Sequence, residues 1–292
     1  MKASRFDYFR PTRLEDAIAL LAEHGREAKA IAGGQSLVPM MAFRLAAPRF
    51  LVDIGRIPGL NRIAADHDAV RIGALVRWRD IERSPELQVA HPLLVEAVRH
   101  IAHYQIRNRG TVGGSLAHAD PAAEMPGIAI TCEARIVVAG PRGQRAIPAT
   151  GLFVGALSTS LDSDELIVEV RLPPWRDNRR WGFQEFSRRR GDFALAGVAL
   201  FYDNGKDGQA ADVHVGAIGV GDTPLRLSAV EAAIEGKVVT ETIIRDAGAA
   251  ASESVHPADD IHASGDYRRA LVGVLTERAL ARAAGLPWRG DT

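Results

Sequence analysis

Ala28-Lys29-Ala30-Ile31-Ala32-Gly33-Gly34-Gln35-Ser36 is the stretch from which the fold is read. Residues 28–32 form a short apolar run, expected to be a buried strand, and the glycine pair that ends it gives the backbone freedom for a tight turn. Residues 37–45 are mostly apolar and are expected to be helical. Phe50-Leu51-Val52-Asp53-Ile54 reads as a second buried strand. Strand, glycine turn, helix and strand make a small βαβ-like unit. Upstream, Thr12 and Glu15 read as a capping box. Leu14, Ala17, Ile18, Leu21 and Ala22 share one face of the helix it opens, and Gly25 closes that helix.

Downstream the pattern changes. Residues 56–79 hold short strands such as Val70-Arg71-Ile72, and residues 92–102 are amphipathic at helical spacing. Asp120-Pro121 reads as N-cap and first position of another helix. Residues 135–138 and 165–172 are expected strands, with a turn at Gly140-Pro141-Arg142-Gly143. The proline-bearing, charged segment from Pro173 to Arg180 marks a boundary. Beyond it, residues 182–187, 194–202 and 212–218 read as strands, with a hairpin turn at Asp203-Asn204-Gly205. Helices follow at residues 228–235, 241–252 and 266–284. The expected class is α+β, the second part being a three-stranded antiparallel sheet with helices.

Composition narrows the function. Lys+Arg and Asp+Glu are 36 each, so the net charge is zero and nothing favours nucleic acid or a membrane surface as partner. With 47% hydrophobic and 25% charged residues, the 292-residue chain can build about two globular cores. A single cysteine, Cys132, excludes an internal disulfide framework and a Cys-ligated cluster made by this chain alone. The N-terminus is polar, and no apolar run reaches the roughly 20 residues that span a bilayer. A soluble cytoplasmic protein is expected.

Two glycine pairs carry the chemistry. Gly33-Gly34-Gln35-Ser36 follows a strand, and Gly113-Gly114-Ser115 lies within Arg109-Gly110-Thr111-Val112-Gly113-Gly114-Ser115. Paired glycines let N–H groups converge on phosphate oxygens, and two such nests suit a diphosphate; ordinary tight turns use the same residues. No G-x-G-x-x-G follows the first strand and no phosphate-loop motif occurs, which argues against the common nucleotide folds. No G-x-S-x-G or H-E-x-x-H is present either, and no catalytic or metal-ligating set is assigned. His100, His103 and His118 are read as helix-end residues, and Cys132 as a small core residue. The run from Trp175 to Arg190 holds six arginines among aromatics and is read as a solvated face or subunit interface.

Ala32-Gly33-Gly34-Gln35-Ser36-Leu37-Val38-Pro39 and Thr111-Val112-Gly113-Gly114-Ser115-Leu116-Ala117-His118-Ala119-Asp120-Pro121 resemble the two FAD-binding motifs of the flavoprotein (medium) subunits of molybdenum hydroxylases. Gln105 to Gly110, Arg190-Gly191-Asp192-Phe193-Ala194 and the segment from Asp259 to Arg269 are similar too, in the family's order and spacing. The resemblance implies a two-subdomain FAD-binding domain of the vanillyl-alcohol-oxidase-like type over residues 1–176, with subdomains of about 1–56 and 57–176. A C-terminal flavoprotein domain over residues 177–292 would follow.

It also implies the site. Ala32 to Leu37 and Thr111 to Ser115, with Ala117 and His118, would clamp a noncovalent FAD. Asp120 and Glu124 would lie toward its ribityl and adenosine side, and Leu161 and Leu166 would pack on its rings. Gln184 and Phe193 would face the isoalloxazine. Many relatives have Tyr at Phe193, His at Gln35 and Asn at Ser115. The implied partners are a small subunit with [2Fe-2S] clusters and a large subunit with the molybdenum cofactor, in a dimer of heterotrimers. The large subunit would choose the substrate, so carbon monoxide, purines, other heterocycles and aldehydes stay open. Quinone and NAD stay open as acceptors. A self-contained flavin oxidase and a redox-inactive nucleotide-binding scaffold are the competing readings.

Overall fold

A computed structural model describes residues 2–288. Residues 1 and 289–292, where the expected two-domain division begins and ends, lie outside the described residues. The chain opens with β1 (Asp7–Phe9), α1 (Leu14–His24), β2 (Ala28–Ile31), α2 (Leu37–Ala42) and β3 (Phe50–Asp53). β2 and β3 pair in parallel across α2, as the βαβ reading requires, and β1 adds a third parallel strand in the order β1-β3-β2. Ala17, Leu21, Ala28, Val52 and Ile54 form this unit's core. The capping box does not form: Arg13 is the N-cap of α1 and no side chain caps it. Gly25, at φ 53°, ends the helix where expected.

The middle of the chain builds β4 (Ile63–Ala65), β5 (Val70–Gly73), α3 (Trp78–Glu82), α4 (Pro85–Ala90), α5 (Pro92–His100), α6 (Tyr104–Arg107), α7 (Val112–His118) and α8 (Glu124–Thr131). β6 (Arg135–Gly140), β7 (Gly143–Pro148), β8 (Phe153–Gly155), β9 (Ser158–Thr159) and β10 (Leu166–Leu172) follow. β4-β5-β10-β6-β7 form a five-stranded antiparallel sheet. The β6–β7 hairpin turns at Pro141-Arg142 within the expected Gly140 to Gly143 turn. Asp120-Pro121 does not start a helix. The Asp120 carboxylate accepts from the Ala122 N–H at 2.9 Å, a local turn that delays α8 to Glu124.

Residues 173–178 carry no helix or strand. β11 (Arg179–Phe186), β12 (Ala196–Asn204), β13 (Ala210–Ile218) and β14 (Leu225–Arg226) then make a four-stranded antiparallel sheet, one short strand more than expected. The hairpin turn sits later than expected, because β12 continues through Asn204 and Gly205 donates to the Gln209 carbonyl. α9 (Ser228–Ile234), α10 (Glu241–Glu253) and α11 (Gly265–Ala284) cover the sheet. The core beneath them includes Val198, Leu200, Val215, Val272 and Leu275. Phe183 and Phe201 instead join the core of the middle sheet, so the third unit is packed against the second through side chains. Among the described residues no helix is long and apolar enough to cross a membrane.

Candidate cofactor-binding cleft

A cleft of about 740 Å³ opens between the three units, within the size range of small-molecule sites. Of the expected residues, Ala32 to Leu37, Thr111, Gly113, Gly114, Ser115, Ala117, His118, Asp120, Glu124, Leu161, Leu166 and Phe193 line it. Val112 does not: it is fully buried in the middle core and holds α7 in place. Gln184 is also off the wall. Strand alternation puts it on the side of Gly182, which lies against the Ala279 carbonyl of α11.

The two glycine motifs touch. A Cβ on Gly33 would lie 2.2 Å from the Arg109 carbonyl oxygen and 2.9 Å from Gly110 Cα, so glycine is what lets the two loops meet. Gly34 sits at φ 72°, a conformation that carries the chain from β2 into α2. The N–H groups of Gly33, Gly34, Gln35 and Ser36 have no acceptor among the described residues. The second motif differs from its expected nest. Val112, Gly113, Gly114 and Ser115 donate to Val76 O, Ala74 O, Thr111 Oγ1 and Thr111 O at 2.8–3.2 Å. Thr111 is the N-cap of α7, and its side chain takes the Gly114 N–H. The first motif therefore holds a row of donors available to a ligand, and the second is a wall in which the N–H groups of Val112 to Ser115 are already paired.

Charge and apolarity are separated along the cleft. Arg26 and Lys29 stand where it runs into a polar annex of about 570 Å³ that also includes Ser158, Thr159 and Asp162. Ile31, Ile101, Ile106, Leu157, Leu161, Leu166 and Phe193 supply apolar wall. Phe193 is 64% exposed, an aromatic at the rim. Burial lowers the pKa of His118 and raises that of Glu124 to about 7.

Several lining residues were missed from sequence, among them Lys29, Trp78, Ile101, His103 and Leu157. They lie outside the glycine motifs, and only tertiary folding brings them in. Gly191 and Asp192 also line the cleft. Gly191, at φ 91°, packs on His103, where a Cβ would be 2.4 Å from the ring, and docks the Arg190 to Ala194 motif on the middle unit. The arginine-rich run is partly structural. The Arg179 side chain is 6% exposed, bonds Asp203 at 2.7 Å and Asp212 at 2.8 Å, and lies over the rings of Phe201 and Trp175.

The family model for the FAD binding domain in molybdopterin dehydrogenase matches residues 4–175, and that for the CO dehydrogenase flavoprotein C-terminal domain matches residues 181–283. The carbon monoxide dehydrogenase medium chain of Hydrogenophaga pseudoflava is 39% identical over 277 residues, covering 94% of this chain and 96% of that one. The nicotine 6-hydroxylase medium subunit of Paenarthrobacter nicotinovorans is 41% identical over 283 residues, covering 97% and 99%. The crystal structure of quinoline 2-oxidoreductase from Pseudomonas putida 86 superposes with a TM-score of 0.93 at 35% identity, over 98% of this chain and 99% of that one. The chain belongs to the family of FAD-binding medium subunits of the molybdenum hydroxylases, and is an oxidoreductase subunit of that kind.

Proposed function

We propose that this cleft holds one noncovalent FAD, and that the chain passes electrons from the iron–sulfur clusters of a small partner subunit to an external acceptor. The observation that carries the reading is the row of acceptor-free N–H groups from Gly33 to Ser36, locked against the second motif by the close approach of Gly33 to Arg109. Such converging donors fit a diphosphate. The residues present fit the rest of the molecule as well, with polar side chains at Asp120 and Glu124 and apolar ones at Leu161, Leu166 and Phe193. When bound, FAD supplies the redox chemistry, and the protein supplies position and electrostatics.

In this reading Gly33 to Ser36 bind the diphosphate, and Thr111 to Ser115 fix the opposite wall. Ala117 and His118 continue that wall toward Arg26 and Lys29. Leu161 and Leu166 exclude water beside the adenine, and Phe193 shields the rim. Cys132, the lone cysteine, is buried and burial pushes its thiol up to about 12, so it offers no cluster ligand. The substrate site belongs to a large subunit carrying the molybdenum cofactor. We assign residues 1–176 to the FAD-binding domain, with subdomains of about 1–56 and 57–176, and residues 177–292 to the C-terminal domain. The complex is proposed to be a cytoplasmic dimer of heterotrimers.

The test is anaerobic. The FAD-loaded chain alone is mixed with carbon monoxide, purines, N-heterocycles or aldehydes, and flavin bleaching is followed. No bleaching is expected until the small and large subunits are added. Rapid bleaching of the isolated chain would instead establish a self-contained flavin enzyme.

A further inference from the structure

β8 and β9 form a hairpin in which Phe153 pairs with Thr159 and Gly155 with Ser158, so Ala156 and Leu157 make its tip. Leu157 stands at φ 55°, in the left-handed region. Leucine is costly there because its Cβ crowds the backbone, and glycine or asparagine takes such a turn more readily. The turn by itself gives no reason for a leucine. Side chains held in this conformation persist where the surroundings over-determine them, and they gather at ligand sites.

The surroundings of Leu157 are specific. Its N–H donates to the Ala119 carbonyl at 3.0 Å. Ala119 is the C-cap of α7, itself left-handed at φ 55° and ψ 40°, and it is buried. Its own N–H donates to Ser115 O at 3.1 Å. At the base of the hairpin the Ser160 N–H donates to Leu152 O at 2.9 Å, and the Ser160 hydroxyl to Gly151 O at 2.7 Å. The tip is thereby fastened to the end of the helix that opens with the second glycine motif. Backbone hydrogen bonds, rather than loose contact, set where Leu157 stands.

That place is the junction of two cavities. Leu157 lines both the cleft and the polar annex, and it is 52% exposed. The apolar residues common to the two cavities are Ala117, Leu157 and Leu161, contributed by α7, the hairpin tip and the loop after β9. Ile101, Ile106 and Phe193 line the cleft and not the annex. A dinucleotide with its diphosphate on Gly33 to Ser36 sends one half in each direction. The tricyclic isoalloxazine suits the larger apolar wall with its aromatic rim. The annex, with Ser158, Thr159, Arg26 and Lys29, suits ribose hydroxyls and a purine edge.

We propose that Leu157 is an adenosine clamp, a specificity-determining residue that packs on the purine and makes this chain select FAD over FMN, which lacks that half. The inference rests on the reading that FAD occupies the cleft. The leucine side chain supplies the contact, and its bond to Ala119 supplies the position. Covering the exposed half of such a side chain corresponds to an affinity gain of about fivefold to tenfold.

The test uses the full apo chain, titrated separately with FAD and with FMN, beside urea unfolding of the same samples. Wild type should bind FAD more tightly than FMN. Leu157→Asn and Leu157→Gly both accept the left-handed backbone, so each should fold. Each should weaken FAD by about fivefold to tenfold and leave FMN affinity unchanged. Leu157→Met keeps the volume and should retain FAD affinity within about twofold of wild type. The urea midpoint of Leu157→Asn should equal or exceed that of wild type, because asparagine relieves the backbone. In leucine-methyl NMR spectra of the wild-type chain, assigned through the backbone, FAD should shift the Leu157 signals and FMN should not.

FAD and FMN weakened alike, FAD affinity untouched in folded Leu157→Asn, or Leu157 methyl signals indifferent to FAD would overturn the clamp and leave FAD in the cleft. A wild-type chain that binds neither flavin would overturn the cofactor reading itself. The wild-type methyl spectra decide the clamp even if every variant fails to fold.

Discussion

Replacing Gly33 with alanine should separate the two glycine loops and release FAD. The added Cβ would meet the Arg109 carbonyl oxygen at 2.2 Å, its carbon at 2.8 Å and Gly110 Cα at 2.9 Å. All three are backbone atoms, so no side chain can swing aside. Ordinary contact begins at 3.4 Å, so the loops must part by more than about 1 Å. Overpacking of this kind costs about 1–3 kcal/mol of stability. Binding suffers further, because the donors of Gly33 to Ser36 move off their ligand. Loss of one or two charge-assisted bonds, at about 1.5–3 kcal/mol each, weakens FAD at least tenfold. The assay is fluorescence titration of the apo chain with FAD, beside urea unfolding of the same samples. Gly155→Ala is the control, since a Cβ there meets nothing within 4 Å. Wild-type FAD affinity in folded Gly33→Ala would refute the placement of the diphosphate.

Cys132→Ser should change stability modestly and leave flavin content intact; in the native wild-type chain the buried thiol should resist alkylation until urea is added. Arg179→Met strands Asp203, which is 4% exposed and keeps only the exposed Arg176, so urea unfolding should show a loss of about 3 kcal/mol. His91 is buried, accepts from the Leu94 N–H at 3.2 Å and is held down to about 3 by burial. The unfolded chain binds a proton near 6.5 that the folded one refuses, so its contribution is complete above that pH and is lost as pH falls toward about 3. His91→Asn, which can still cap α5, should flatten that acid limb of the stability curve.

Much of the architecture was legible because its signals are local. The strand at residues 28–32, the glycine turn and the strand from Phe50 give a parallel β2–β3 pair through hydrophobic runs alone. β1 escaped because three residues carry no periodicity, and β14 because its two residues are defined only by pairing with β13. Capping was misread at Thr12 and Asp120, where side-chain type suggested a helix start but Arg13 and a local Asp120 turn took the position. In the cleft, most residues of the two motifs came together as expected. The division of labour between them did not show in sequence, since both read Gly-Gly followed within two residues by Ser. It arises from hydrogen bonds: Val76 and Ala74 take the N–H groups of Val112 and Gly113, Thr111 takes those of Gly114 and Ser115, and among the described residues nothing takes those of Gly33 to Ser36. Gln184 was expected to face the isoalloxazine, and only the packing of Gly182 on α11 shows that its side of β11 turns away from the cleft.

The central claim is that the cleft carries one intact, noncovalent FAD, and the bound flavin itself tests it most directly. The purified chain is denatured with acid or heat, the polypeptide is removed, and the flavin in the supernatant is identified and counted against protein. One FAD per chain in the supernatant, with a colourless precipitate, is the expected result. FMN, flavin retained in the denatured polypeptide, or a chain that binds no flavin when FAD is supplied would contradict it.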